Sequence, residues 1–294
     1  MIADLAGALS TEAIGASTVA YDPAIHSLKS FKGQRIVSDN VRHLLRGRSL
    51  VNTSGIQDIY SVRCVPQVHG GIREALEYAS HIAKIELNSV TDNPVFIKNE
   101  ETNLAEAMAG GNFHGESVGI AMDALAIAIS ELANISDRRI AALLDDRFNN
   151  GLPVFLRTTG KMRTGLMILQ HTIASLVSEN KVLAHPASVD SVPTSANTED
   201  FVDMSSVSAR KVVDILDNIK HVLAIELMVA AQAIDLRDKS KNGTNLGTGT
   251  KVVYDFVHQK VPMLKIDTYY KPYVDGLVDD LYDLITRDGL EFIK

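Results

Sequence analysis

The stretch TEDFVDMSSVSARKVVDILDNIKHVLAIELMVAAQAIDL, residues 198–236, decides the fold. Its apolar residues Ala209, Val212, Val213, Leu216, Ile219, Leu223, Leu227, Ala230 and Ile234 recur at helical spacing. That pattern predicts one continuous helix with an apolar stripe. At 1.5 Å per residue it would span about 60 Å. Such a length exceeds what one small core covers, so helices of other subunits are expected against it. The run Val222 to Ala233 is almost wholly apolar but holds Glu226 and Gln232. A charge there argues for a buried helix rather than a membrane span.

Upstream, SENKVLAHPASVDSVPTSANTED, residues 178–200, interrupts the helical pattern. Pro186 and Pro193 stop a helix, because proline lacks an N–H and restricts the residue before it. The Ser, Thr, Asn and Asp around them favour turns. A connection this long is unusual between helices and tends to be functional. On spacing alone, the first reading is Asn197 or Thr198 as an N-cap, with Glu199 and Asp200 in the first helical turn.

Further out, three more helices are predicted. One covers Gln67 to Asn88, with Val68, Ile72, Ala75, Leu76, Ala79, Ile82 and Ala83 on one face. The second follows Gly110-Gly111, with Val118, Ala121, Met122, Leu125, Ile129 and Leu132 in its stripe and Ile140 and Leu144 beyond. The third, Gly165 to Leu183, is apolar almost all round. Shorter helical pieces are expected at Ile2 to Leu9 and Asp39 to Leu50. Few segments alternate as strands do. The expected fold is all-α, a bundle of long antiparallel helices. It divides into a bundle, residues 1–237, and a loop with a short helical tail, residues 238–294.

The 294 residues carry a formal net charge of −7, which disfavours a nucleic-acid footprint. No basic run suggests a membrane surface. The single cysteine, Cys64, excludes an internal disulfide and points to a reducing, cytoplasmic setting. The N-terminus lacks the charged and apolar regions of a signal peptide.

Three clusters could carry chemistry. Gln57 to Arg63, QDIYSVR, offers Arg63 as a bidentate grip for a carboxylate and Tyr60 as a hydrogen-bonding or proton-transferring group. Gly110 to Glu116, GGNFHGE, offers glycines that let backbone approach a ligand, Phe113 as a wall, and His114 and Glu116 as orienting groups. The third is the interrupted stretch, with Glu179, Asn180 and Lys181 on one side and Glu199 on the other. On spacing alone, each reads first as turn or helix-cap chemistry. No metal-ligand spacing, phosphate loop or nucleophile elbow is present.

Taken together, QDIYSVRCVPQVHG, VTDNPVF, GGNFHGE, Asp137-Arg138-Arg139, SENKVLAHPASVDSVPTSANTED and LAIELMVAAQAIDLR resemble the aromatic amino acid ammonia-lyases and aminomutases, most closely their histidine ammonia-lyase branch. The resemblance implies that Arg63 binds the substrate carboxylate and that Gln57 and Tyr60 line the site beside an electrophilic cofactor. It places Phe113 near that cofactor and Glu199 against the substrate imidazole. Tyr60 and Glu199 take the catalytic roles, and Gln57, Arg63, Phe113 and His114 bind substrate. His114 and Glu116 fit the histidine branch. Thr198 and Phe201 depart from the Gln and His usual there, and no Arg stands near Thr268.

The family's methylidene-imidazolone is made from an internal Ala-Ser-Gly, which this sequence lacks. Thr53-Ser54-Gly55 lies too close to QDIYSVR to replace it. The chain begins at a point corresponding to a position after the cofactor segment, and the family's tyrosine base also falls in the missing portion. The expectation is a homo-oligomer, a tetramer, inactive alone, with a second chain supplying the Ala-Ser-Gly segment and a small amino acid as substrate. No metal is expected. A non-catalytic scaffold or regulatory subunit is the alternative. The fumarase and argininosuccinate lyases are also helical tetramers, but their Gly-Ser-Ser loop is absent here.

Overall fold

The computed structural model describes residues 1–49, 57–158, 163–237 and 245–294. Thr53-Ser54-Gly55 and residues 238–244, the start of the predicted loop, lie outside the described residues.

In chain order the elements are α1 (Ile2–Ile14), α2 (Pro23–Ser27), α3 (Lys32–Leu44), α4 (Tyr60–Arg63), α5 (Val65–Leu87), β1 (Val95–Lys98), β2 (Ala105–Met108), α6 (Glu116–Leu144), α7 (Met167–Leu183), α8 (Ser205–Arg237), α9 (Thr248–Lys260) and α10 (Lys271–Leu284). The expected all-α bundle is present. The long helices α7 and α8, adjacent in the chain, run in opposite directions. Thus α7 meets α8 through Lys211 Nζ at the His185 carbonyl and Asn218 at Asn180, with the order reversed. Two helices apart, α6 and α8 run in parallel: Asp123 pairs with Ser208 near their starts and Arg139 with Glu226 near their ends.

From Val222 to Ile234 every residue of α8 is buried. A helix apolar on all sides belongs at the centre of a bundle, and α1, α6, α7, α9 and α10 surround this one. Its first half is one-sided and leaves Val213 and Leu216 exposed. Among the described residues, α6 is the helix long and apolar enough to cross a membrane; it packs instead between α5 and α8 and buries Asp123, Asp137 and Arg139.

Close approach of α3 and α5 requires glycine. A Cβ on Gly70 would stand 2.5 Å from the Gln34 backbone nitrogen, and one on Gly33 would stand 2.5 Å from the Gly70 carbonyl oxygen. The segment after residue 245 joins the same core. Glu12 of α1 accepts the Gly247 N–H at 2.7 Å and the Thr250 hydroxyl at 2.9 Å, and Val253, Phe256, Leu277 and Leu281 are buried with α8.

Several elements differ from the sequence reading; α1, for one, runs on to Ile14 instead of ending at Leu9. Helix α8 starts at Ser205, not near Thr198, because Asp203 Oδ1 takes the Ser205 N–H at 3.0 Å and so ends the loop there. Helix α3 starts at Lys32, seven residues before the predicted piece. Between α5 and α6 the chain forms an antiparallel hairpin, Val95 opposite Met108 and Lys98 opposite Ala105, which the sequence reading missed.

Candidate functional site

The QDIYSVR residues gather on the one-turn helix α4 and the loop before it. The Asp58 carboxylate accepts the Ser17 N–H at 2.8 Å and ties this loop to the end of α1. Tyr60 is 71% exposed, and the Arg63 guanidinium lies over its ring, 4.6 Å from the centroid. No ion pair engages Arg63 among the described residues. Gln57, Arg63 and half-buried Cys64 share a cavity of about 420 Å³ with Ser17, Val19 and Ile25. An unpaired guanidinium stacked on an aromatic face at a cavity mouth is a ready carboxylate receptor.

The other two clusters meet each other. His114 stacks on Phe201, with centroids 5.8 Å apart and planes 11° from parallel. The Asp203 carboxylate accepts the Gly115 N–H at 2.9 Å, which pins the GGNFHGE loop to the start of α8. Phe113 is 55% exposed. Glu199 is exposed and accepts a hydrogen bond from the Thr194 hydroxyl; the Thr194 and Glu199 backbones also pair, closing a short turn. That turn passes through Ser195, Ala196 and Asn197, all with left-handed φ between 50° and 67°. Non-glycine residues there cost on the order of 1 kcal/mol each. The Thr194 and Ser195 hydroxyls hold the Glu199 carboxyl below its ordinary range.

Asp123 of α6 anchors the upstream end of this loop. Its Oδ2 accepts the Ala187 and Ser188 N–H groups at 2.7 Å and the Ser208 hydroxyl at 2.9 Å, and its Oδ1 pairs with Lys211 at 2.9 Å. Burial pushes this carboxyl up, and those hydrogen bonds more than offset it, leaving it below the ordinary value.

The structure does not bring the first cluster to the other two. Arg139 near the end of α6 touches the Ser61 carbonyl of α4 at 3.3 Å, whereas His114 and Gly115 immediately precede Glu116, the first residue of α6. Between Glu116 and Arg139 the helix rises about 35 Å. Tyr60 and Arg63 therefore lie at one end of the bundle, and Phe113, His114 and Glu199 at the other.

Residues 1–259 match the family model described as aromatic amino acid lyase. The chain belongs to the aromatic amino acid lyase family. It is 46% identical over 277 residues to a histidine ammonia-lyase of Chloroflexus aurantiacus, covering 92% of this chain and 53% of that protein. Histidine ammonia-lyase 2 of Fusobacterium nucleatum is 46% identical over 294 residues, covering 99% and 56%. Among solved structures, histidine ammonia-lyase from Trypanosoma cruzi superposes with a TM-score of 0.86 at 38% identity, covering 99% of this chain and 56% of that one. Tyrosine aminomutase from Streptomyces globisporus gives 0.90 at 31%, covering 97% and 58%. The chain spans about half the length of the relatives it matches.

In this aromatic amino acid lyase chain, sequence reasoning missed Tyr21, Asp58, Asp123 and Asp203. Asp58 stood inside a quoted motif, and Asp123 was legible as a charge breaking an apolar helix. No group of His, Cys, Asp and Glu among the described residues could hold a metal.

Proposed function

We propose that this chain is a component of a histidine ammonia-lyase, which eliminates ammonia from histidine to give urocanate. Glu199 carries the histidine reading: an exposed, ionised carboxylate on a turn closed by its own hydrogen bonds can accept an imidazole N–H. The likeness to histidine ammonia-lyases across nearly the whole chain supports it.

Within that reading, Arg63 grips the substrate carboxylate in a two-pronged pair, with the Tyr60 ring fixing the plane of the guanidinium. The Tyr60 hydroxyl and the Gln57 amide face the reacting part of the substrate. Phe113 walls the other side, and the His114–Phe201 stack stiffens the loop that carries it. These groups bind and orient; holding reactants in place supplies a large share of catalysis but cannot make an amine a good leaving group.

The 294 residues contain no Ala-Ser-Gly, and a second polypeptide carrying that segment is proposed to contribute the methylidene-imidazolone. That group, when bound, supplies the electrophile that activates the substrate for loss of ammonia. The residues of α4 and the loop before it suit its neighbourhood: the Arg63 guanidinium and the Gln57 amide line one cavity, and the exposed Tyr60 ring lies under the guanidinium. Because the Arg63 and Glu199 ends of the bundle are about 35 Å apart, a complete site needs more than one copy of the chain, and a homotetramer in the cytoplasm is the assembly proposed. The absent Ala-Ser-Gly also fits a second reading, a non-catalytic scaffold or regulatory subunit of the same family.

Ultraviolet absorbance following histidine-to-urocanate conversion tests this, on the purified chain alone and mixed with a chain bearing Ala-Ser-Gly. Activity only in the mixture is expected. Activity in neither supports the scaffold, and activity in the chain alone contradicts the account of the electrophile.

A further inference from the structure

Tyr21 and Arg139 belong to none of the three clusters, yet both grip the backbone between Tyr60 and Arg63. The Tyr21 hydroxyl donates to the Val62 carbonyl at 2.9 Å, and Arg139 Nη1 donates to the Ser61 carbonyl at 3.3 Å. These carbonyls lie in a helix one turn long, which has little stability of its own. The N–H that a continuing helix would offer Val62 belongs to position 66, and Pro66 has none. Side chains from elsewhere in the fold complete the hydrogen bonding of this turn.

Both donors are rigidly held. Tyr21 and Arg139 are fully buried. Arg139 Nε and Nη2 meet the Glu226 carboxylate at 2.5 and 2.9 Å, and the Ser10 and Ser136 hydroxyls donate to the same carboxylate at 2.6 and 2.5 Å. The Tyr21 hydroxyl also lies 2.9 Å from that of Thr11. Burial pushes the Tyr21 phenol up to about 12, so it keeps its proton at neutral pH. The clamp therefore runs from the central helix α8, through α6 and α1, to the backbone beside Arg63.

We propose that Tyr21 and Arg139, the latter oriented by Glu226, are positioning residues for Arg63: they fix the α4 backbone so that the guanidinium stands over Tyr60, open to a substrate carboxylate. The inference rests on the carboxylate role of Arg63 proposed above. A receptor on a one-turn helix needs such support, since binding groups must be held to within about 0.5 Å. The Arg139–Glu226 pair alone could be a core ion pair. Its donation to Ser61, beside a second buried donor on the next carbonyl, is what a core ion pair does not require.

Tyr21→Phe keeps the ring and removes the donor. Arg139→Lys keeps a charge for Glu226 but cannot reach both partners. Two measurements on the full chain read the effect. Hydrogen exchange compares amides 62–64 with those of Val222 to Ile234. Modification of Arg63 by phenylglyoxal, followed by peptide mass spectrometry, is run with imidazolepropionate, which has a carboxylate, and with histamine, which has none.

In the wild type, imidazolepropionate should shield Arg63 and histamine should not. In Tyr21→Phe, exchange at 62–64 and the half-shielding concentration should each rise about tenfold, the scale of one lost hydrogen bond, with central α8 unchanged. No change at 62–64 overturns the proposal, and so does an equal rise in α8, which marks a general packing role. If Arg139→Lys fails to fold, Tyr21→Phe decides. If imidazolepropionate fails to shield Arg63 in the wild type, the carboxylate role falls, and exchange at 62–64 alone decides the clamp.

Discussion

Arg63 and Glu199 sit at opposite ends of one helical bundle. Arg63 ends the turn that Arg139 holds at 3.3 Å near the end of α6, and Glu199 lies beside the loop that Asp203 pins at Gly115, just before α6 begins. The helix between them rises about 35 Å, so one copy of the chain cannot present both to a single amino acid. Apolar residues along the same bundle, among them Ile120, Ile127, Val213 and Leu216, are exposed, which suits the proposed packing of further copies.

Replacing Glu199 with Gln separates recognition from folding. The side chain is exposed, so unfolding stability should move by no more than about 0.5 kcal/mol. Histidine turnover by the reconstituted enzyme should fall at least about tenfold, the loss of one charge-assisted hydrogen bond, while phenylalanine turnover should not. Parallel kinetics on the two substrates check this. Equal losses would remove the imidazole role.

Glu226→Leu strands the Arg139 guanidinium in the core and should cost about 3–5 kcal/mol, read from urea unfolding. Pairing it with Arg139→Met removes both charges and should recover most of that stability, because a buried ion pair is seldom better than apolar packing. A single variant within about 1 kcal/mol of wild type would mean that the pair is not buried as described.

Two adjacent glycines of α5 should respond oppositely to alanine. At Gly70 a Cβ meets the Gln34 backbone at 2.5 Å, which must push α3 away and should cost about 1–3 kcal/mol. At Gly71 a Cβ meets nothing within 4 Å, and alanine should stabilise the helix by about 0.5–1 kcal/mol. Denaturation midpoints of the two variants check the sign.

Acid should unfold the protein through its buried carboxylates. Burial pushes the Asp4 carboxyl up, but His69, the N-terminus and Arg73 more than offset it. The same balance, through Arg139, Ser10 and Ser136, holds Glu226 below its ordinary 4.5. A carboxyl depressed by folding contributes stability that is complete above its unfolded value and is lost as the pH falls through the folded one. The melting temperature should therefore drop steeply once the pH passes below 4.5, and again below the 3.8 ordinary to Asp4. Glu12, raised by burial, works in the opposite direction and softens the fall. A melting temperature that holds or rises across that window would contradict the assignment.

The long helices were legible because stripes such as Val118, Ala121, Met122 and Leu125 carry a period that little else mimics. The start of α8 was not. Asn197, Thr198 and Asp203 are all cap-type residues, and local spacing cannot rank them; Asp203 prevails through its bond to Gly115, 88 positions away. The hairpin was missed because its strands are four residues long and AEAM carries no strand preference. Helix α3 carries Gly33 in its first turn, which reads as a loop and is there for contact with Gly70. The clusters QDIYSVR and GGNFHGE stood out as strings, but their separation along α6 depends on tertiary packing, as does the reach of Tyr21 to Val62, 41 positions on.

The central claim, that Arg63 and Glu199 of one site come from different copies, is tested by mixing. Arg63→Ala and Glu199→Gln chains are each reconstituted with the Ala-Ser-Gly chain, then co-assembled in equal amounts, and urocanate formation is followed. Each variant alone should be severely impaired. The co-assembly should regain about a quarter of wild-type activity, the share of sites that draw both intact residues from different copies under random mixing. A mixture no more active than the variants alone would mean that one copy supplies both residues.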